Sequence, residues 1–100
     1  MRPIYLARLD KSRPVLVLTR EVVRPHINTV TVAPITTTIR GLSTEVSLGV
    51  ANGLEEQCVV ACDHLTTIPA TSLGRPIGHL LDEQEPKLTD AIHAAFDLDA

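Results

Sequence analysis

The feature that most constrains the fold is a succession of short strand patterns that ends in one amphipathic helix. Apolar or alternating runs predict six strands before residue 82. They cover Ile4–Leu9, Pro14–Leu18, Asn28–Ile35, Leu42–Leu48, Cys58–Cys62 and Ile77–Leu81. Pro14–Leu18 and Cys58–Cys62 are apolar throughout, which is typical of central strands covered on both faces. Asn52-Gly53 is a turn signal between two of the strands.

Helix signals are confined to two segments. Thr67–Gly74 predicts one or two helical turns, with Pro69 early and Gly74 as a stop. A longer helix starts near Asp82, which has capping-box spacing to Glu85. Its apolar stripe is formed by Leu88, Ala91, Ile92, Ala95 and Phe96. We therefore predict the class α+β, mainly β: a strongly bent antiparallel sheet or small barrel with a C-terminal helix.

Composition predicts one folded domain over residues 1–100, because the length is typical of a single domain and 44% of the residues are hydrophobic. Tyr5 and Phe96 are the only aromatic residues, so the core must be aliphatic. No apolar run approaches the roughly 20 residues of a membrane helix. The first residues lack the apolar stretch of a signal peptide. These features predict a cytoplasmic protein without a membrane partner.

The two cysteines, Cys58 and Cys62, lie in one predicted strand. Four strand residues separate two Cα atoms by about 13 Å, whereas a disulfide requires less than about 7 Å. The nearby His64 does not complete a metal site. We therefore expect buried free thiols and no bound metal, with an intermolecular or redox role as the alternative.

The charges are distributed unevenly along the chain. The net charge is −3, yet residues 1–40 carry seven of the nine basic residues and a net charge of +5. Such an asymmetry favours a basic surface for phosphate on an otherwise acidic molecule. The alternative is that folding intermixes these charges.

Two segments carry the chemistry, since the chain has no Ser–His–Asp order, phosphate-binding glycine loop or metal-ligand spacing. In the first, Arg13 precedes Pro14 and an apolar strand, which holds the arginine at the rim of the sheet. In the second, a strand ends in Thr36–Thr38, followed by Arg40. Hydroxyls and a guanidinium at a strand exit suit a phosphate. The alternatives are an arginine that caps a strand and threonines present for β-propensity.

Together these segments resemble the MazF/PemK family of type II toxin–antitoxin endoribonuclease toxins, bacterial proteins with mycobacterial and other actinobacterial members. The resemblance is carried by Arg13–Thr19, Val32–Thr37, Cys58–Ile68 and Arg75–Leu80, and extends from Ile4 to Phe96. It implies an SH3-like, CcdB-like twisted barrel that forms a homodimer. It further implies a cognate MazE-like antitoxin, whose acidic, flexible segment covers the RNA groove.

The resemblance implies a metal-independent and cofactor-free endoribonuclease with sequence specificity. Its substrate would be single-stranded RNA (mRNA, with tRNA or rRNA as further candidates), and cleavage would stop translation and growth. The products would be a 2′,3′-cyclic phosphate and a 5′-hydroxyl. The 2′-hydroxyl of the RNA is the nucleophile, so the protein has mainly to position the phosphate.

The family motifs map catalysis onto Arg13 and Thr36. Because arginine stays protonated, Arg13 is expected to stabilise charge on the phosphate oxygens rather than to act as a base. The predicted RNA-binding residues are Lys11, Thr37, Thr38, Arg40, Asp63 and His64. Asp63 and His64 resemble a base-contacting pair of the family, with simple solvation of a strand end as the alternative.

One departure concerns the loop before Arg13, which has only Asp10-Lys11-Ser12 where the family has a longer segment. The short loop predicts a more open groove, which admits structured RNA such as a tRNA loop. Two other functions remain as alternatives. One is a CcdB-like gyrase poison without enzymatic activity, and the other is an inactive SH3-like module that binds RNA or protein.

Overall fold

The computed structural model describes residues 2–98, which form seven strands and one α-helix. The strands are β1 (Pro3–Arg8), β2 (Ser12–Val17), β3 (Thr29–Thr36), β4 (Glu45–Leu48), β5 (Cys58–Ala61), β6 (Thr66–Pro69) and β7 (Leu73–His79). The helix, α1, spans Glu85–Ala95. Short 3-10 turns cover Arg24–His26, Val50–Asn52, Cys62–His64, Ala70–Ser72 and Asp82–Gln84. The predicted class, mainly β with a C-terminal helix, is confirmed.

All strand pairs are antiparallel, in the order β4-β5-β3-β2-β1-β7, with β6 also on β3. Strand β3 is long enough to pair with three other strands, β2, β5 and β6. Its first part pairs with β6 through Val32 and with β2 through Pro34. Ile35 and Thr36 then pair with β5. Within residues 2–98, β4 and β7 do not pair, so the sheet bends strongly but stays open.

The apolar strand β2 separates two clusters of the core, as its continuous hydrophobicity predicts. Leu16 packs into the larger cluster, which lies under the helix and includes Val60 and Leu88. Val15 and Val17 point the other way, into a smaller cluster. The smaller cluster is completed by Ala7, Val30, Val32 and Ile68. Because side chains alternate along a strand, only a run apolar at every position can line both clusters.

The segment Thr67–Gly74, predicted to hold one or two helical turns, contains one such turn and is otherwise extended. Thr66–Pro69 is strand β6, and Ala70–Ser72 forms a 3-10 turn. Ile68 lies opposite Val30 of β3, where it joins the smaller cluster. Pairing with β3 thus limits the helical part of the segment to the single turn after Pro69. The last strand accordingly begins at Leu73, earlier than the predicted Ile77.

The predicted helix is confirmed, but its two ends differ from the prediction. The side chain of Asp82 does not cap the helix as predicted. A 3-10 turn over Asp82–Gln84 leads into the helix, which begins at Glu85. The Leu81 N–H donates to Oε1 of Gln84 at 2.9 Å. Phe96 follows the helix and is 56% exposed, because the apolar stripe ends before it. Among residues 2–98, no helix is long and apolar enough to cross a membrane.

Cys58 and Cys62 are free and buried, as predicted. Burial raises the pKa of the Cys58 thiol and raises that of Cys62 to about 11. The nearby carboxylates of Glu56 and Asp63 act in the same direction. Both groups are therefore neutral thiols near pH 7 and serve as small apolar core residues.

Asn52 is the one buried polar side chain of the described core, and its hydrogen bonds join three parts of the fold. Its Oδ1 accepts from the Gly49 N–H at 3.1 Å. Its Nδ2 donates to the carbonyl of His79 at 3.1 Å and to Oε1 of Gln84 at 2.6 Å. The network fastens the turn after β4 to the end of β7 and to the approach to the helix. A fully bonded buried amide of this kind specifies one arrangement of its neighbours.

We expect Gly78→Ala to destabilise the protein by about 1–3 kcal/mol, because overpacking in a tight contact has that cost. A Cβ at Gly78 would overlap the backbone carbonyl of Asn52. Gly49→Ala is the matched control, since its Cβ would meet no atom within 4 Å. Urea unfolding of both variants measures the difference. Equal midpoints would show that the Asn52 turn is not tightly packed on β7.

Candidate active site

Strand pairing brings the two predicted catalytic residues together. Val15 of β2 lies opposite Pro34 of β3 in the last pair of that ladder. Two residues further along both strands, the same register sets Arg13 opposite Thr36. The pairing of β2 with β3 ends before that point, and Thr36 pairs with Val59 of β5 on the other edge of β3. Both the arginine and the hydroxyl line the same cavities.

Two adjoining cavities share Arg13 and Thr36 in their walls. The first, here called the glutamate cavity, has a volume of about 440 Å³ and extends toward Glu55, Glu56 and Arg75. The second, here called the Arg40 cavity, has a volume of about 530 Å³. A group held between Arg13 and Thr36 would therefore lie where the two cavities meet.

The Arg40 cavity contains most of the predicted RNA-binding residues. Thr38, Arg40, Asp63 and His64 all line it. Its position follows from the topology, because the Cys62–His64 turn connects the two strands that pair with the same edge of β3. The structure therefore brings these four predicted residues together in one cavity.

The Glu45 carboxylate holds the loop that presents Arg40. Its Oε1 accepts from the backbone N–H groups of Arg40, Gly41 and Leu42 at 3.2, 2.9 and 3.2 Å. Gly41 has a φ of +73°, which suits glycine in such a concave turn. Successive amides around one carboxylate make strong, charge-assisted hydrogen bonds. The loop is thus ordered by its own hydrogen bonds before any ligand binds.

Asp63 has a hydrogen-bond partner within the protein. The Thr44 hydroxyl donates to its Oδ2 at 2.6 Å. This bond links the loop before β4 to the Cys62–His64 turn across the Arg40 cavity. The second carboxylate oxygen has no partner among residues 2–98, so Asp63 retains an acceptor for a ligand of the Arg40 cavity.

The glutamate cavity contains residues that the sequence analysis missed. Thr37 was predicted and lines it, but Glu55, Glu56 and Arg75 were not singled out. The two glutamates follow the Asn52-Gly53 turn, and Arg75 lies on β7. These parts of the chain are distant in sequence from Arg13, so no local motif joins them. The only sequence signal for the two glutamates was their position shortly after the predicted Asn52-Gly53 turn.

Lys11 is the predicted site residue that the structure does not bring into either cavity. Its backbone N–H donates to Oδ1 of Asp10 at 3.0 Å, and Asp10 also faces Nε of Arg13 at 3.4 Å. The Lys11 hydrogen bond, together with the Arg13 charge, holds the pKa of the exposed Asp10 carboxyl below its usual range. The short loop therefore contacts the site through Asp10, whose carboxylate orients the guanidinium of Arg13.

The predicted basic surface is broken up by acidic partners. Arg2 pairs with Glu85 at 3.1 Å, and Arg24 approaches Glu21 at 4.0 Å. The remaining carboxylates, such as Glu45 and Asp63, lie among the basic residues of the cavities. Folding has thus intermixed the charges, which was the alternative considered from the sequence. The arginines that line the two cavities are Arg13, Arg40 and Arg75.

The geometry supplies two donors at the junction of the cavities. The Thr36 Oγ1 accepts from the Thr38 N–H at 3.1 Å, which leaves the hydroxyl proton of Thr36 available for a ligand. The Arg13 side chain is 37% exposed, so its guanidinium can reach an anion. Among residues 2–98, no group of three or more His, Cys, Asp and Glu side chains is placed to hold a metal ion. The arrangement suits the oxygens of a phosphate.

Comparison with known proteins shows the family of the chain. A family model described as PemK-like, MazF-like toxin of type II toxin–antitoxin system matches residues 3–96. Endoribonuclease MazF3 of Mycobacterium tuberculosis is 65% identical over 99 residues, which cover 99% of this chain and 96% of that protein. The solved Mycobacterium tuberculosis toxin MazF-mt6 has a TM-score of 0.97 at 64% identity, covering 99% of this chain and all of that one.

A more distant structure shares the fold. It is an endoribonuclease in complex with its cognate antitoxin from a mycobacterial species, with a TM-score of 0.87 at 24% identity. The match covers 98% of this chain and 94% of that chain. Taken with the family model over residues 3–96, these findings agree with the resemblance seen in the sequence motifs. The chain belongs to the family of PemK-like and MazF-like toxins of type II toxin–antitoxin systems.

Proposed function

We propose that this MazF-family endoribonuclease toxin cleaves single-stranded RNA with the scissile phosphate held between Arg13 and Thr36. The observation that carries the proposal is that these two residues lie just beyond the last pair of the β2–β3 ladder and line both cavities. An extended RNA strand has one nucleotide on each side of every phosphate. The two cavities meet where Arg13 and Thr36 can donate hydrogen bonds to a phosphate, so each cavity could hold one of its two neighbouring nucleotides.

In the proposed reaction the 2′-oxygen attacks the adjacent phosphorus while the bond to the 5′-oxygen breaks. The 2′-hydroxyl gives up its proton to solvent and the leaving 5′-oxygen takes one up, so the products are a 2′,3′-cyclic phosphate and a 5′-hydroxyl. Arg13 stabilises the charge that develops on the nonbridging oxygens, and Asp10 fixes the direction of its guanidinium. The Thr36 hydroxyl donates to the same phosphate and helps to hold the nucleophile in line.

Substrate binding is expected to use the loop residues around the Arg40 cavity. Thr37, Thr38 and Arg40 supply donors for phosphate or sugar, whereas Asp63 and His64 are placed for base edges. RNA is read on unstacked bases, which a single strand exposes. Cleavage of mRNA, tRNA or rRNA with sequence preference stops translation and growth. Lys11, outside both cavities, is proposed to contact a more distant phosphate.

We propose a homodimer in the cytoplasm that is restrained by a MazE-like antitoxin. The support is the distant structure of a mycobacterial endoribonuclease with its cognate antitoxin, which has the same fold. An acidic, flexible antitoxin segment would lie across the two cavities and pair with Arg13 and Arg40. Such a segment competes directly with RNA phosphates.

The gyrase-poison and inactive-module alternatives have less support than a nuclease. A poison or a passive module does not need a guanidinium and a free hydroxyl proton at one anion site. The relative that is 65% identical over 96% of its own length is named an endoribonuclease. Both considerations favour catalysis at the junction of the cavities.

The proposal is tested by incubating the purified protein with single-stranded RNA in EDTA. We expect undiminished cleavage, because the proposed chemistry uses only protein side chains and the 2′-hydroxyl of the RNA. Mass analysis should find 2′,3′-cyclic phosphate and 5′-hydroxyl ends. RNA left intact both with and without added Mg²⁺ would contradict the proposal, and capture of gyrase would then favour the poison.

A further inference from the structure

We infer that the glutamate cavity is a nucleobase subsite that selects a base with an exocyclic amino group and rejects uracil. The glutamates concerned, Glu55 and Glu56, form part of the wall of the cavity that Arg13 and Thr36 also line. The inference deepens the proposed function and rests on it, since it names which base the same active site prefers beside the cut.

Connectivity of the RNA places a nucleotide in this cavity. If the scissile phosphate lies between Arg13 and Thr36, its flanking nucleosides must occupy the spaces on either side. The glutamate cavity is one of these spaces, and its volume of about 440 Å³ lies in the range typical of small-molecule pockets. Leu6, Pro14 and Ile77 supply apolar surface for the face of a base. The edge of the base would then meet the polar wall.

Two carboxylates and one guanidinium, that of Arg75, line this wall, so negative charge outweighs positive charge there and favours donor groups on the base. Glu55 and Glu56 are exposed, and within residues 2–98 no arginine, lysine or histidine nitrogen lies within 4.0 Å of either carboxylate. An ionised carboxylate only accepts hydrogen bonds, and it repels the phosphates of RNA. Its favourable partners on RNA are therefore donor groups of bases and sugars.

The four bases differ in the donors that they offer. Cytosine, adenine and guanine each carry an amino group on the Watson–Crick edge, which is a good partner for a carboxylate. Uracil carries two carbonyl oxygens on either side of a single N–H. Those oxygens and the carboxylate oxygens are all hydrogen-bond acceptors, so they repel one another. The wall therefore favours the three amino-bearing bases over uracil.

The backbone turn that leads into the glutamates is held in place by its packing. Gly53 has a φ of +90°, and a Cβ there would overlap the carbonyl of Ile77 on β7. The preceding Asn52 is 1% exposed and bonded on three sides. The turn therefore keeps Glu55 and Glu56 at the cavity, while their exposed side chains are free to adjust to the base.

The test compares Glu55→Gln, Glu56→Gln and the double variant with the wild-type protein. Short RNAs carry each of the four bases in turn at the two positions flanking the cut, and kcat/KM is measured for each. At one of these positions we expect the wild type to prefer amino-bearing bases over uracil by roughly tenfold. In the double variant the ratio should fall toward one, because an amide both donates and accepts.

The ratio of kcat/KM between amino-bearing bases and uracil separates contact with the base from a general effect of charge on RNA binding. Removing two negative charges will strengthen binding of every RNA alike, and such a uniform gain cancels between bases. Glu83→Gln is the matched control, since Glu83 is exposed and lines none of the cavities described. It should leave the ratio unchanged. Thermal unfolding confirms that all the variants are folded.

The possible results distinguish this inference from the function on which it rests. Cleavage with the same base ratio in the wild type and the double variant would overturn the subsite and leave the nuclease intact. Cleavage by the wild type without discrimination against uracil at either flanking position would overturn it as well. No cleavage by the wild type would overturn the nuclease and the subsite together.

Discussion

Arg13→Ala is expected to lower kcat by about 10²–10³-fold, because removal of one donor to an oxyanion typically has that effect. The guanidinium is the strongest positive group where the two cavities meet, and Asp10 holds it in place at 3.4 Å. The loss should appear mainly in kcat, since the bond to the phosphate strengthens as charge develops during the reaction. Single-turnover cleavage of a short RNA measures this effect without interference from product release.

Arg13→Lys is the informative companion variant. It keeps the positive charge but loses the planar fork that can bind two phosphate oxygens, so we expect activity between those of the alanine variant and the wild type. The stability of both variants should change little, because an exposed ion pair with Asp10 contributes little to folding. Activity of Arg13→Ala close to that of the wild type would remove this arginine from the mechanism.

A 2′-deoxy nucleotide on the 5′ side of the scissile phosphate is expected to abolish cleavage at that phosphate. The 2′-oxygen is the proposed nucleophile, and its removal leaves no group to form the cyclic phosphate. The cleavage position is first mapped by sequencing the 5′ ends of RNA fragments from cells that express the toxin. Matched oligonucleotides with one ribose replaced are then compared on denaturing gels.

The control oligonucleotide carries the deoxy nucleotide one position downstream of the cut. Its scissile phosphate retains the neighbouring 2′-hydroxyl, so it should be cleaved much like all-RNA substrate. Loss of cleavage in both oligonucleotides would indicate a binding defect instead of a missing nucleophile. Continued cleavage of the first oligonucleotide would indicate attack by water and would rule out the cyclising mechanism.

Errors in the sequence-based prediction fall where tertiary contacts outweigh local signals. Thr67–Gly74 contains a proline and a glycine at spacings typical of a short helix, yet only Ala70–Ser72 forms a helical turn, because Ile68 pairs with Val30 and enters the smaller core cluster. At the other end of the chain, Phe96 fits the helical stripe but extends beyond the last turn that faces the sheet. Periodicity shows which residues are able to be buried; packing determines which of them are.

The sequence by itself determined the class of fold, because strand and helix periods depend only on neighbouring residues. Apolar β2 and β5 could be identified as central strands, and the motifs around Arg13 and Thr36 pointed to the toxin family. What only the tertiary structure decided is the shape of the site. The register of β2 on β3, the Glu45-bound loop and the packing of Gly53 on β7 join segments far apart in the chain. Long-range pairing of this kind leaves no local pattern, so Glu55, Glu56 and Arg75 became visible only in the folded molecule.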